Sequence, residues 1–130
     1  MHQINLHGPW NLSPLASGDA SHDSVRIKYP CRLAETTIDA FSDGFWLCRN
    51  FHAPTGIAES DRIQLVFALE LVPDDIKLNN NTVEFVASDE VQLDVTKKLN
   101  SFNQVCILIN GLDSNELPES IFRSAKMLID

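Results

Sequence analysis

The sequence predicts an all-β fold, an antiparallel two-sheet sandwich of the jelly-roll type. Apolar residues follow a period of two, as in RIQLVFALELV at residues 62–72, where every second side chain from Ile63 to Leu71 is apolar. Turn-forming residues separate such runs, as in SPLASGDASHD, PTG, VPDD and LNNNT. The apolar spacing of amphipathic helices is nearly absent. Short strands joined by turns without intervening helices are typical of sandwiches and jelly rolls.

Nine segments have the composition and alternation of strands. In chain order they are QINLHG (3–8), SVRIKYP (24–30), FWLCRNFHA (45–53), the run at 62–72, DIKLN (75–79), TVEFVA (82–87), VQLDV (91–95), QVCILIN (104–110) and IFRSAKMLI (121–129). We expect the polar segment 13–24 to be a loop. Segment DVTKKLNSF (94–102) could hold one helical turn, because Asp94 and Thr96 are good caps.

The core between the sheets can be predicted from the strand at 45–53. Phe45, Leu47 and Phe51 alternate toward one side of it, so we expect them to be buried. Their predicted partners are Leu65, Phe67, Ile107 and Ile109. We also expect Trp10 to pack in the interior rather than to be presented to a ligand, since large indole rings are more often packed.

Length and charge limit the organisation and the partners of the chain. A chain of 130 residues has the usual size of one domain, and no boundary is visible, so residues 1–130 are predicted to form a single domain. The formal charge is -8, from 18 acidic and 10 basic residues, so neither nucleic acid nor an anionic membrane surface is expected as a partner. No signal-peptide pattern and no long apolar run is seen, which predicts a cytoplasmic location.

The three cysteines are Cys31, Cys48 and Cys106. An odd number at long spacings fits neither a disulfide framework nor a CxxC metal site. We therefore expect buried thiols that act as small hydrophobic side chains in a reducing compartment. A bridge between Cys48 and Cys106 is the alternative that the sequence leaves open.

The order of the motifs resembles a known family. GFWLCRNFHAP has the pattern W-x-x-R-x-F-x-x-P, with Trp46, Arg49, Phe51 and Pro54, and IQLVFALELVPDDIKLNNN and VQLDVTKKLNSFNQVCILIN follow it. Together they resemble the sugar-binding jelly roll at the N-terminal end of family 2 glycoside hydrolases, the β-galactosidase and β-glucuronidase relatives. That domain has the galactose-binding-like fold. The resemblance covers almost the whole chain.

The resemblance implies a sugar-binding fold without the family's catalytic part. In the family this domain precedes an immunoglobulin-like module and a catalytic barrel, whereas the sequence here ends at Asp130. Asn80 stands where the family's V-x-L-N-G hairpin has glycine, and asparagine tolerates the left-handed conformation. No GxSxG, P-loop or GxGxxG motif is present. We therefore expect the fold to be kept and the chain not to be an enzyme.

Asp43, Trp46 and Arg49 are the candidate ligand-binding residues. The resemblance implies that the loop at 40–46 reaches toward the sugar, where Asp43 would be a short acceptor. Trp46 could pack on the apolar face of a sugar ring, and Arg49 could bind a ligand carboxylate. Each has a structural alternative: an Asp-Gly turn, a packed indole, or an internal ion pair with a residue such as Asp94.

No cofactor is expected. The oxygen-rich loop GDASHD at 18–23 could hold a structural calcium ion, but it lacks EF-hand spacing, so a solvated loop is favoured. The four histidines show no zinc-binding spacing.

The predicted function is non-catalytic binding of carbohydrate, or of another small polar ligand, through loops at one end of the sandwich. The alternative is a protein-interaction or structural module without a small-molecule ligand. The sequence does not predict the oligomeric state.

Overall fold

The computed structural model of the protein describes residues 2–8, 10–14, 25–27, 44–56, 58, 60–70, 73–87, 90–110 and 122–130. Eleven strands and no helix occur in these residues. The strands are β1 (His2–Asn5), β2 (Trp10–Pro14), β3 (Val25–Ile27), β4 (Gly44–His52), β5 (Ile63–Leu69), β6 (Asp75–Leu78), β7 (Asn81–Thr82), β8 (Val86–Ala87), β9 (Val91–Asp94), β10 (Phe102–Asn110) and β11 (Phe122–Ile129).

Two antiparallel sheets form the sandwich. The first sheet has the strand order β1-β11-β5-β9-β8, and the second has the order β3-β2-β4-β10-β6-β7. The longest pairing joins the nine-residue strands β4 and β10, from Gly44 opposite Asn110 to His52 opposite Phe102. These sheets confirm the predicted fold class.

The core lies between the two sheets. Phe45, Leu47 and Phe51 of β4 are buried, as the alternation of the strand predicts. Their predicted partners are buried in the same cluster: Leu65, Phe67, Ile107 and Ile109. The side chains of each strand point alternately to the two faces of a sheet, and one face of each sheet supplies this core.

Trp10 lies at the centre of an aromatic group in the core. Its ring centroid is 4.7 Å from that of Phe122 and 5.8 Å from that of Phe67. The indole is fully buried, and its N–H donates to the backbone carbonyl of Leu6 at 3.1 Å. The expectation that Trp10 packs in the interior is therefore confirmed.

Two predictions about individual strands are wrong. Residues 10–14 form β2, although only Trp10 and Leu12 supply an apolar pattern and segment 13–24 was expected to be a loop. Ser13 is only 1% exposed and pairs with Trp46. The strand β2 is short and ends in proline, so its alternation of apolar and polar side chains is too weak to be recognised in the sequence. Its pairing with β4 holds it in the sheet.

The segment 82–87, predicted as one strand, is divided between the two sheets. β7 pairs with β6 in the second sheet, while β8 pairs with β9 in the first. Val83, between them, is buried, and its N–H donates to the carbonyl of Ile76 at 2.9 Å. The chain therefore passes from the second sheet to the first within this segment, although its composition is typical of a single strand.

The hairpin between β6 and β7 turns on two asparagines. Asn79 and Asn80 have φ angles of 52° and 68°, and Leu78 pairs with Asn81 across the turn. Positive φ at both central residues defines a type I′ turn, in which glycine usually follows asparagine. Asn80 thus accommodates the left-handed conformation in place of glycine, as predicted.

Cys48 and Cys106 are direct cross-strand partners in β4 and β10, with Cα atoms 4.1 Å apart, and they form a disulfide. The expectation of free thiols is therefore wrong for this pair. The two cysteines are 58 residues apart in the sequence. They meet because of the register between β4 and β10, which cannot be predicted from their spacing. Cys31 lies outside the described residues.

Candidate functional site

Trp46 lies on the outer face of the second sheet, near the Gly44 end of β4. Its neighbours across the sheet are Ser13 and Leu108. The indole is half-buried, and the ammonium of Lys77 lies over its ring, 5.3 Å from the centroid. A sugar that stacked on this ring face would have to displace a cation–π contact.

Arg49 holds the connection between β1 and β2 in place. Its Nε donates to the Leu6 carbonyl at 3.2 Å, and its Nη1 donates to the Asn50 carbonyl at 2.6 Å. Nη2 packs so closely on Gly8 that a Cβ there would lie 2.8 Å away. Burial lowers the pKa of the guanidinium from its usual value. The internal ion pair suggested with Asp94 is wrong, since Asp94 pairs with Arg62 at 3.6 Å.

The structure does not bring Trp46 and Arg49 together. They point to opposite faces of β4, because they are three positions apart along a strand whose side chains alternate. Asp43 lies outside the described residues. The ligand-binding roles of these three residues remain predictions.

The described part of the chain forms a second group of polar residues at the opposite end of the sandwich. We call it the Asp61 end; it contains the end of β4, the start of β5 and the end of β9, together with the residues that follow β4 and β9. His52, the last residue of β4, is six residues from Trp46, so this end is about 20 Å from the tryptophan at ~3.3 Å per residue. Three hollows open at the Asp61 end.

The largest of these, the Asp61 hollow, has a volume of about 530 Å³. Its apolar lining comes from Ala53, Ala58, Ile63 and Leu99, and its polar lining from Asp61, Thr96 and Lys97. Ala53 follows β4 of the second sheet, while Ile63 begins β5 of the first. The hollow therefore lies where the ends of the two sheets meet.

Asp61 is held by a tight turn. Its Oδ2 accepts the N–H of Ala58 at 2.8 Å, and its own N–H donates to the Ala58 carbonyl at 3.0 Å. Arg62 and Asp130 then exchange backbone hydrogen bonds of 2.8 and 2.9 Å, which fix the start of β5 to the end of β11. Oδ1 of Asp61 has no hydrogen bond to another described residue, so it is available to a ligand.

Thr96 and Lys97 form the opposite rim. The Thr96 hydroxyl oxygen accepts the N–H of Ile63 at 3.0 Å, and the Lys98 N–H donates to the Val95 carbonyl at 3.0 Å. Lys97 has a φ of 62°, so this rim is a tight turn rather than the predicted helical turn. Asp94 stabilises this turn, since its Oδ1 accepts the Thr96 N–H at 3.0 Å.

Thr96 also makes the Asp94 carboxyl more acidic. Hydrogen bonds from the Thr96 hydroxyl and the Thr96 N–H hold the pKa of the Asp94 carboxyl below its usual value, and the positive charges of Arg62 and Lys98 add to this effect. The hydroxyl has one hydrogen, and its separation of 3.4 Å from the Ile63 carbonyl is long for a hydroxyl donor. The hydroxyl nevertheless donates to that carbonyl, whereas the Thr96 N–H donates to Asp94 Oδ1 at 3.0 Å.

The second hollow, which we call the amide hollow, has a volume of about 340 Å³. Its polar lining comes from Asn79, Asn81, Thr82, Lys98 and Asn100. A third hollow of about 440 Å³ lies on the other side of Asp61 and includes His2, Thr55 and Ile129.

The wall of the amide hollow is a network of asparagine hydrogen bonds centred on Asn103, which is only 1% exposed. Its Oδ1 accepts from the Asn79 side chain at 3.0 Å and from the Asn100 N–H at 2.8 Å, while its Nδ2 donates to the Asn100 carbonyl at 2.8 Å. Asn79 Oδ1 in turn accepts the Gln104 N–H at 2.9 Å. Every side-chain hydrogen-bonding position of Asn103 except one donor hydrogen is thus used, which makes this wall rigid.

The sequence interpretation missed the Asp61 end. Asp61 stands in the polar segment after PTG, where a carboxylate cannot be distinguished from any other surface charge. Lys97 and Lys98 form the longest basic run of the sequence, which by itself does not indicate a binding site. The available signal was LNNNT followed by LNSFN, two asparagine-rich segments that flank the same pair of strands.

The described residues contain neither a cluster of metal-binding side chains nor a membrane-spanning helix. No group of three His, Cys, Asp or Glu side chains in these ranges could hold a metal ion. The loop at 18–23, where a structural calcium ion was considered, lies outside them. None of the described segments forms a helix long and apolar enough to cross a membrane.

Comparisons with known proteins identify the fold. No protein-family model and no curated protein matches the sequence. Among solved structures, a family 2 glycosyl hydrolase from Bacteroides cellulosilyticus matches 99% of this chain with a TM-score of 0.73 and 17% identity. A β-glucuronidase from an uncultured Clostridium sp. matches 97% with a TM-score of 0.73 and 15% identity. A rhamnosidase from Novosphingobium sp. PP1Y matches 100% with a TM-score of 0.70 and 14% identity.

The match covers only a small part of each enzyme: 20%, 28% and 15% of the three chains. The described residues contain neither a helix nor a parallel strand pair, so the catalytic barrel of the resembled family is not among them. The chain therefore has the fold of a domain-sized part of family 2 glycoside hydrolases, which confirms, at the level of fold, the resemblance recognised in the sequence.

Proposed function

We propose that this chain is a non-catalytic module that binds carbohydrate in the Asp61 hollow. The observation that carries the proposal is the combination of an apolar floor with a carboxylate, a hydroxyl and an ammonium around one hollow of about 530 Å³. Pockets of roughly 300–1,000 Å³ with a few placed polar groups are typical of small-ligand sites.

The chemistry of the hollow suits a sugar ring. The C–H face of a sugar packs on apolar side chains such as Ile63 and Leu99, while its hydroxyls can donate to the free Oδ1 of Asp61. Lys97 supplies a donor on the opposite rim. Glycoside hydrolysis requires two carboxyl groups across the bond, and Asp61 is the single acidic residue among the described residues that line this hollow. The proposal is therefore binding without hydrolysis.

The structural neighbours suggest which sugars to test. The structures with the same fold include enzymes named as β-glucuronidases and a rhamnosidase. Glucuronic acid and rhamnose therefore join galactose, glucose and amino sugars in the panel. The neighbours do not choose among these sugars, because an identity of 13–17% supports the fold alone.

Isothermal titration calorimetry with millimolar sugars tests the proposal. Asp61→Asn keeps the acceptor for the Ala58 N–H and removes the charge at Oδ1, so it should weaken binding at least about tenfold, or ~1.4 kcal/mol. Glu84→Gln is the matched control, because Glu84 is exposed, lines none of the three hollows and gives the same change in net charge. Equal weakening in both variants, or no binding by any sugar, would contradict the proposal.

The site predicted from the sequence remains a second location for the same function. Trp46→Leu should leave binding unchanged if the sugar occupies the Asp61 hollow, because the two lie at different ends of the second sheet. Loss of binding in Trp46→Leu and Asp43→Ala, with Asp61→Asn unaffected, would instead place the ligand at the Gly44 end.

A protein-interaction role is the other candidate function, and no single surface in the described residues favours it. The exposed large apolar side chains there are Ile4, Val86 at 68% and Phe102 at 53% exposure. Ile4 and Val86 lie on opposite edges of the first sheet, and Phe102 lies in the second, where it packs against His52. Isolated exposed apolar residues are normal on protein surfaces. Light scattering after size exclusion would reveal a stable oligomer.

The proposed cytoplasmic location can be tested through the cysteines. A disulfide between Cys48 and Cys106 is typical of oxidising compartments, which opposes the location predicted from the sequence. Labelling of free thiols in protein taken directly from its native cells distinguishes an oxidising compartment from the cytoplasm. Two protected cysteines that become labelled only after reduction would contradict a cytoplasmic location.

A further inference from the structure

Residues 97–100 form a ridge between two of the hollows. Lys97 and Leu99 line the Asp61 hollow, whereas Lys98 and Asn100 line the amide hollow. Successive side chains of this short segment therefore point alternately to its two sides. The two hollows are neighbours that share one wall, and both are open to solvent at the same end of the sandwich.

We infer that the ligand is an oligosaccharide whose linked sugar residues occupy both hollows, one on each side of the ridge at 97–100. The inference rests on the proposed function of the Asp61 hollow and extends it. One sugar ring fills one hollow only. A chain of sugars that crosses the ridge would contact both.

The amide hollow has the chemistry of a second sugar subsite. Amide and hydroxyl side chains both donate and accept, as sugar hydroxyls do. Asn81 and Asn100 provide amides, Thr82 a hydroxyl and Lys98 an ammonium. Lys98, Asn81 and Thr82 are exposed, so their polar atoms can reach a ligand. The Lys98 cation would also favour a carboxylate on the sugar.

The two hollows are held in a fixed relation to each other. Asn103 binds both backbone groups of Asn100, which fixes one end of the ridge, and Asp94 caps the turn at Thr96, which fixes the other. A preorganised pair of subsites adds affinity for a linked ligand, since the second sugar binds at a high effective concentration.

The test uses two series of ligands: xylose with xylo-oligosaccharides, and galacturonic acid with its oligomers, each from one to five residues, measured by calorimetry. In at least one series the affinity should rise about tenfold or more between one and three residues. The double variant Lys98→Gln/Thr82→Val should remove most of that gain and leave the affinity for the single sugar within about twofold. Lys126→Gln is the matched charge control, because Lys126 lies in the middle of β11.

The outcomes separate this inference from the proposed function. Equal affinity for short and long ligands, or a gain that survives in the double variant, overturns the inference while binding at Asp61 stands. Binding of oligosaccharides alone, with no heat from single sugars, supports it if the double variant loses that binding. Failure of every ligand of every length, and of every single sugar in the panel that tests the proposed function, overturns both. A gain in the acidic series alone assigns the amide hollow to a uronic acid residue.

Discussion

Replacing Asn103 by alanine removes three hydrogen bonds at one buried point. The lost bonds are those from the Asn79 side chain and the Asn100 N–H to Oδ1, and the bond from Nδ2 to the Asn100 carbonyl. At about 1 kcal/mol per bond the free energy of unfolding should fall by about 3 kcal/mol. The groups left without partners lie in a part-buried turn, which adds to the cost. For a chain of this size the Tm should fall by about 12 °C.

Urea denaturation followed by tryptophan fluorescence measures this change, because Trp10 is fully buried in the folded state. Asn100→Ala is the matched control: only the backbone of Asn100 takes part in the network, so this variant should change the free energy by less than about 0.5 kcal/mol. A cost below ~1 kcal/mol for Asn103→Ala, or an equal cost for the control, would show that solvent replaces these bonds and that the wall is not rigid.

Three further predictions concern the turn, the core and the acidic limit of stability. Asn80→Ala should lower the free energy of unfolding by about 1 kcal/mol because of its positive φ, whereas Asn80→Gly should not; urea midpoints that fall equally would contradict this. Phe51→Ala should cost about 3–5 kcal/mol by thermal or urea unfolding, while Phe102→Ala, at an exposed position, should cost far less. Asp94 has a lowered pKa in the folded state, so its contribution is present above its unfolded pKa and lost as the pH falls through the folded value. Asp94→Asn should therefore reduce stability at neutral pH and flatten its decline below about pH 4, and an unchanged acid profile would count against the bonds from Thr96.

The sequence predicts the sandwich well where the strands are long. β4, β5 and β10 have seven to nine residues each, and the alternation of their apolar side chains matches the buried core. Hydrophobic burial on one face imposes a period of two, and a period that persists over seven residues is visible without a structure.

Short strands and the register between strands cannot be predicted from this alternation. β2, β7 and β8 have two to five residues, and the neighbouring strands decide to which sheet each belongs. The Cys48–Cys106 disulfide depends on the register of β4 against β10, which composition does not specify. The Asp61 end depends on turns that meet only after both sheets have packed, so its residues carry no shared motif.

Arg49 shows that a residue whose type suggests a ligand site can also have a role in packing. An arginine among apolar residues suggests a binding site for an anion. In this structure, however, Leu6 lies in the connection from β1 to β2, where the chain passes from the first sheet to the second, and its carbonyl needs a donor. Trp10 and Arg49 both donate to that carbonyl, at 3.1 and 3.2 Å, and the Leu6 N–H donates to Ala125 at 2.8 Å. A buried carbonyl without a ladder partner costs free energy unless a donor reaches it. The guanidinium thus meets a requirement of the chain itself, and the arginine of the pattern W-x-x-R in this sequence is explained by packing at a sheet crossing before any ligand is considered.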